Sequence, residues 1–300
     1  MLAPTLPSKT VLVTGCSSGG VGAAFASSFA AAGDSQTYHV YATARSPSKI
    51  PASLHSAPNV TVLALDVTSS DSIKAAVEAV RRETGERLDV LINNAGAGWN
   101  MPGLDSSIPD ARKLFDLNFF SALETMQAFG PMLINAKGVV VNNASVGGMG
   151  TFPFGSIYGA SKAALIRAGE AWRLELAPLG VRVLTLVTGG IATKFLENLQ
   201  PLELPEGSYY AGIKDIIEKQ EENISFGMKP EVLAEDVRRR VERGETGKVW
   251  VAGGATLIKW FIWLVPQWGT DRMLLNFKPF QAKLTEEHKK RMVKEEKKSA

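Results

Sequence analysis

The chain reads as a doubly wound α/β protein, a seven-stranded parallel sheet flanked by helices in a single domain with a C-terminal apolar extension. Three observations predict this. Short β-branched runs alternate with helical segments along most of the chain, the pattern of a parallel sheet buried between helix layers. The first run stops at a glycine-rich turn that opens a helix. Nothing between these segments has the composition of a linker, so 300 residues share one core although length alone would allow about two domains. The domain spans residues 1–255, and residues 256–300 form the extension.

Taken in order, Thr10 to Val13 is a buried strand. Thr14-Gly15-Cys16-Ser17-Ser18-Gly19-Gly20-Val21-Gly22 follows, then a small-residue helix from Ala23 to Ala32 that Gly33 ends. Glycines let a ligand approach the backbone, and the helix start supplies N–H donors and a positive dipole end. Strand, turn and helix together predict a dinucleotide pyrophosphate site. The second strand, Val40 to Ala44, ends in Arg45 where an acidic residue would accept from a ribose hydroxyl. An arginine there accommodates a 2′-phosphate, which points to NADP(H). The third strand runs from Val60 to Leu65 into Asp66-Val67, and a helix from Ser69 to Glu83 is capped by Ser69 or Ser70.

Asp89 to Ile92 is the fourth strand, closed by Asn93-Asn94-Ala95-Gly96. Such small and amide residues suit close approach to a cofactor at the strand ends. A helix is predicted from Asp110 to Gly130 with Asn118 in its middle, where an asparagine is mildly unfavourable and invites a functional or packing reason. Gly138 to Asn142 delivers Ser145, Val181 to Val187 runs into Thr188-Gly189-Gly190-Ile191-Ala192-Thr193, and Lys248 to Ala252 is the seventh strand. Residues 189–228 form a substrate loop whose long insertion from 194 carries Phe195, Leu199, Leu202, Tyr209, Tyr210, Ile213, Ile216 and Ile217. Insertions of this kind tend to be lids. Lys194, Lys214 and Lys219 are either phosphate contacts or solvated.

Tyr158-Gly159-Ala160-Ser161-Lys162 opens the helix after Ser145. Positions i and i+4 share a helix face, so the phenol and the ammonium point the same way. Tyrosine is a poor acid-base catalyst at its free pKa of ~10, and a nearby cation lowers that value toward working pH. Ser145 would hydrogen-bond the oxygen that Tyr158 protonates or deprotonates.

Composition removes other classes. A single cysteine, Cys16, excludes an internal disulfide or cysteine-cluster metal site, and the three histidines show no ligand spacing. A net charge of +3 is too weak to argue for nucleic acid. Seven Lys/Arg against four Glu lie between Lys283 and Ala300, leaving 26 of each sign elsewhere, so the excess sits in the tail. No apolar secretory signal precedes Lys9, so the expectation is a chain on the cytosolic side of any membrane.

These motifs, in this order, resemble the short-chain dehydrogenase/reductase family over roughly residues 8 to 255. The resemblance implies a Rossmann-type NADP-binding domain, reduction of a small-molecule ketone, and a homo-oligomer that pairs the helices of Asn118 and Tyr158. It makes Tyr158 the general acid/base, Lys162 the ribose ligand that lowers the tyrosine pKa, Ser145 the orienting hydroxyl, and Asn118 the holder of a water linking Lys162 to solvent. It makes Gly15, Ser17, Ser18, Gly20, Val21, Gly22, Arg45, Asp66, Val67, Asn94, Ala95, Gly96, Tyr158, Lys162, Ile191 and Thr193 cofactor contacts. Two departures stand out. The glycine loop has one extra residue, which leaves the roles of Gly19 and Gly20 open. Thr188-Gly189 also replaces the family's Pro-Gly, so that turn lacks proline's fixed φ.

The sequence is similar to a fungal and yeast subgroup of this family, whose members reduce acyl-dihydroxyacetone phosphates or polyketide, terpenoid and steroid-like ketones. Beyond the last strand, Leu257 to Trp268 is an apolar aromatic run far shorter than the ~20 residues of a bilayer span. It is either a flap over the pocket or an interfacial anchor to membrane or lipid droplet, with tryptophans at its ends and a basic tail beyond. Lys297-Lys298-Ser299-Ala300 matches a dilysine endoplasmic-reticulum signal.

Overall fold

The structure, a computed structural model, describes residues 9–32, 37–193, 201–218, 227–277 and 280–299. Gly33, Lys194, Phe195, Leu199 and Lys219 lie outside them, as does the stretch before Lys9. Seven parallel strands form one sheet in the order β3-β2-β1-β4-β5-β6-β7. They are β1 Lys9–Val13, β2 Tyr38–Ala44, β3 Val60–Ala64, β4 Val90–Asn93, β5 Val139–Asn143, β6 Arg182–Thr188 and β7 Gly247–Val251. The order reverses between β1 and β4, and ligands of open α/β sheets bind beyond the strand ends at such a point.

Helices α1 (Val21–Ala30), α2 (Ala52–His55), α3 (Ser70–Thr84), α4 (Ile108–Phe115), α5 (Ser121–Ala136) and α6 (Ser156–Leu176) follow the chain, then α7 (Lys214–Glu218), α8 (Pro230–Glu242) and α9 (Ala255–Leu264), and last α10 (Gln267–Phe277) and α11 (Phe280–Ser299). Phe25 and Phe29 of α1 and Leu233 and Val237 of α8 pack one sheet face against Val11, Ile92 and Val141. Val80 of α3, Phe129 and Leu133 of α5 and Trp172 of α6 pack the other against Leu12, Leu91 and Val140. Each large side chain so buried contributes about 1.5–3 kcal/mol.

The expected strands all appear, displaced by one or two residues. β2 starts two residues early because the Tyr38 ring is buried edge-on against Phe29, centroids 5.0 Å apart. Ser69 rather than Ser70 caps α3, its side chain accepting from the Ser72 N–H.

The single helix expected from Asp110 to Gly130 is a correction. α4 ends at Phe115, a π-helical turn covers Asp116–Phe120, and α5 continues past Pro131 to Ala136. The π turn carries Asn118, which is 1 % exposed. Met132 and Leu133 are buried beyond Pro131, so packing overrides the hydrogen bond that proline removes. The extension continues the chain beyond β7. It forms three helices, and the last is pinned to the body: Phe280 stacks edge-on against Phe154 at 4.9 Å, and Lys283 pairs with Asp215 at 2.8 Å.

Candidate active site

A cavity of about 1390 Å³ runs along the C-terminal edge of the sheet, from the glycine loop to Tyr158. Gly15 and Gly19 take left-handed φ values of 75° and 76°, which favour glycine. Gly20 is the N-cap of α1, so Gly19 supplies the turn and Gly20 the helix entry. Gly22 lies behind the wall, where a Cβ would collide with the Gly15 carbonyl and the Asn94 amide. No side chain caps α1, and its first turn has no acidic residue. Its free N–H groups and dipole therefore fit an anionic pyrophosphate at Ser17, Ser18, Gly20 and Val21, all in the cavity wall.

Arg45 lines the cavity beyond β2, and so does Lys49 from the short turn after it. Sequence reasoning missed Lys49, although a second basic residue four positions past Arg45 was a usable signal. Val67 lines the wall, whereas Asp66 stands beside it. The Asp66 carboxylate accepts from the Thr68 N–H at 2.9 Å and hydroxyl at 2.7 Å, which holds it below the usual carboxylate range, with a smaller pull from Arg45. Asn94, Ala95, Gly96, Ile191 and Thr193 also line the wall.

At the other end α6 presents Tyr158 and Lys162, and the loop after β5 presents Ser145. Burial pushes the Tyr158 phenol above its ordinary value, and the hydrogen bond with Ser145 pulls it partly back. The depression expected from Lys162 is absent. Burial instead lowers the Lys162 ammonium to about 8, because a charge is costly away from water. Lys162 Nζ donates to the Asn143 carbonyl at 3.1 Å. Gly96 keeps room for it, since a Cβ there would stand 3.3 Å from Nζ and 2.9 Å from Asn118 Oδ1.

The Asn118 side chain accepts from the Ala97 N–H at 2.9 Å and donates to the Ala97 carbonyl at 2.9 Å and the Ser161 hydroxyl at 3.0 Å. It is a brace between the strand-end loop and α6, behind the wall. Leu117, Val146, Phe152 and Ile258 give this end an apolar surface. Ile258 belongs to α9, so the extension contributes one side chain to the cavity wall. Lys214 pairs with Glu218 at 3.6 Å, away from the cavity.

The short chain dehydrogenase family profile matches residues 9–203. This chain belongs to that family. Its members are nicotinamide-dependent oxidoreductases, and the pocket above fits such a cofactor. Among relatives, the short-chain dehydrogenase cctT of Talaromyces islandicus is 41 % identical over 256 residues, 84 % of this chain and 88 % of that one. The NADPH-dependent 1-acyldihydroxyacetone phosphate reductase of Schizosaccharomyces pombe is 40 % identical over 213 residues, 70 % of each chain. Among solved structures, a short-chain dehydrogenase from Streptomyces avermitilis superposes with a TM-score of 0.72 at 28 % identity, covering 96 % of this chain and all of that one. A Burkholderia cenocepacia short chain dehydrogenase in complex with NADP shares the fold at a TM-score of 0.66 and 24 % identity, covering 89 % and 98 %.

Proposed function

We propose that this enzyme reduces a lipid-like ketone to an alcohol with NADPH, an acyl-dihydroxyacetone phosphate being the favoured substrate. The observation that carries the reading is one cavity with Arg45 and Lys49 at one end and Ser145, Tyr158 and Lys162 beside an apolar wall at the other. Two cations beyond β2, with the Asp66 carboxylate engaged by Thr68, suit the 2′-phosphate of NADP(H). When bound, the reduced nicotinamide supplies the hydride. Ser145 and Tyr158 hold the ketone oxygen, Tyr158 delivers its phenolic proton to it, and Lys162 stays fixed on the Asn143 carbonyl. Leu117, Val146, Phe152 and Ile258 suit a long apolar substituent.

The test is NADPH consumption, followed by absorbance, with acyl-dihydroxyacetone phosphates beside polyketide, terpenoid and steroid-like ketones. Turnover only with the latter group would move the substrate class and leave the reductase reading intact. Binding of NADPH with no turnover on any ketone would favour a catalytically silent cofactor-binding protein.

A second reading concerns where the enzyme works. Leu257, Trp263 and Trp268 are 74 %, 75 % and 72 % exposed, while Ile258 on the same segment lines the cavity. Residues 256–300 carry ten Lys/Arg against five Asp/Glu, and the preceding chain 23 against 25. We read this face as a peripheral contact with anionic lipid at the cytosolic face of the endoplasmic reticulum or at a lipid droplet. Among the described residues no helix is long and apolar enough to cross a membrane. Flotation with anionic vesicles at low and high salt tests it, and full-length protein that stays at the bottom of the gradient ends it. Phe120 of the π turn and Leu174 of α6 are exposed and suit the pairing of copies expected from the family. Sedimentation would show a dimer or larger assembly, or a monomer against it.

A further inference from the structure

A row of side chains crosses the C-terminal edge of the sheet in the cavity wall. Thr188, ending β6, donates from its hydroxyl to Asn143 Oδ1 at 2.6 Å. Asn143, ending β5, donates from Nδ2 to Asn94 Oδ1 at 2.9 Å. Asn94, just past β4, donates from Nδ2 to the carbonyls of Thr14 at 2.9 Å and Gly15 at 3.3 Å, just past β1. These strands are successive neighbours in the sheet, so the row joins four strand ends in spatial order.

Its polarity is forced from one end. Backbone carbonyls only accept, so Asn94 must turn its amide nitrogen toward Thr14 and Gly15. Its oxygen then faces Asn143, which must offer N–H there and present its own oxygen to Thr188. Thr188 therefore has to be the donor. The residue it holds, Asn143, is the one whose main-chain oxygen accepts from Lys162 Nζ. The far end of the row is the backbone of the glycine loop.

We propose that Thr188 is a positioning residue for proton transfer. Through Asn143 it fixes the carbonyl that holds Lys162, and through Asn94 it fixes the glycine loop. This bond does for the β6 exit what a proline ring does by fixing φ, and it adds a link to the catalytic lysine. Thr188 is buried, and without its hydroxyl the Asn143 oxygen loses its donor. The proposal rests on Lys162 serving the proton-transfer site, as read above.

The experiment compares wild type with Thr188→Val, Thr188→Ser and Thr188→Pro, by NADPH dissociation constant from fluorescence and by kcat, KM and pH profile of ketone reduction. Valine keeps the shape and removes the donor. It should lower kcat about tenfold, the value of one hydrogen bond of ordinary net strength, weaken NADPH binding, and shift the pH profile that Lys162 shapes. Serine should stay within about twofold of wild type. Proline, which restores a fixed φ without a donor, should behave like valine. A valine variant equal to wild type, equal losses in valine and serine, or a proline variant equal to wild type would each overturn the proposal.

Asn143→Asp gives a second route that does not depend on Thr188 variants folding. It keeps an acceptor for Thr188 but loses the donor to Asn94, so NADPH binding should weaken. An unchanged dissociation constant would overturn the proposal as well. Wild type that binds NADPH yet reduces no ketone counts against the reductase reading alone, because the dissociation constants still decide the row.

Discussion

The glycine loop and α9, the first of the three C-terminal helices, border the same cavity, and the loop and those helices are held in opposite ways. The loop is jammed in place by backbone: Gly22 has no room for a Cβ, and Asn94 bonds two of the loop's carbonyls. The helices touch the body at separate points, among them Phe280 on Phe154, Lys283 on Asp215, and Arg291 donating to the Gly207 carbonyl at 2.7 Å. Much of their apolar surface stays outside. The difference teaches that the groups proposed for cofactor binding and proton transfer sit on closely packed strand ends, while the segment beside the apolar end of the cavity is hung on from elements that tolerate change.

The largest effect should come from the rigid side. Tyr158→Phe removes one hydroxyl and should cut turnover by about 10²–10⁴-fold, with NADPH affinity nearly intact by fluorescence titration. Turnover near wild type would remove Tyr158 from the mechanism. Because burial raises the Tyr158 pKa, the phenol stays protonated through neutral pH. Ketone reduction should therefore run level across that range and fall only at alkaline pH, while the reverse oxidation, which needs phenolate, should rise with pH. A reduction rate that falls already between about pH 6 and 7, below any tyrosine range, would contradict this.

Gly22→Ala should come next. The added methyl has backbone on its far side, so overpacking should cost about 1–3 kcal/mol in thermal or denaturant melts and weaken NADPH binding. Unchanged stability would mean the loop gives way more easily than its contacts indicate.

Arg45→Ala should narrow the preference for NADPH over NADH by roughly one decade, and adding Lys49→Ala should remove most of what remains. If the double variant still discriminates as wild type does, neither cation reads the phosphate. The smallest effect belongs to the hung-on side. Ile258→Ala should raise KM for long-chain ketones by a few fold, about 1 kcal/mol of lost apolar contact, with kcat and NADPH affinity unchanged. A kcat loss instead would show that α9 shapes the reacting end and would blur the contrast between the two regions.

The sequence by itself determined the strands, the glycine turn and the spacing that sets Tyr158 and Lys162 on one helix after Ser145. Strand periodicity, β-branched runs and the Tyr158 to Lys162 spacing are local properties that any reader of ten residues can see. It could not show that Asn118 sits in a π turn as a brace, since α4 and α5 share one continuous helical pattern. Nor could it show that Lys49 joins Arg45 at the cavity, or that Ile258 comes back from the extension to line it. The Thr188 to Asn143 bond spans 45 positions and exists because β5 and β6 pair in one register, with Asn143 opposite Leu186. Burial decided the rest: it raises the Tyr158 pKa, where the spacing to Lys162 implied a fall, and it lowers that of Lys162. Local pattern is written in neighbouring residues, whereas register, desolvation and the meeting of distant strand ends arise only when the sheet closes over its core.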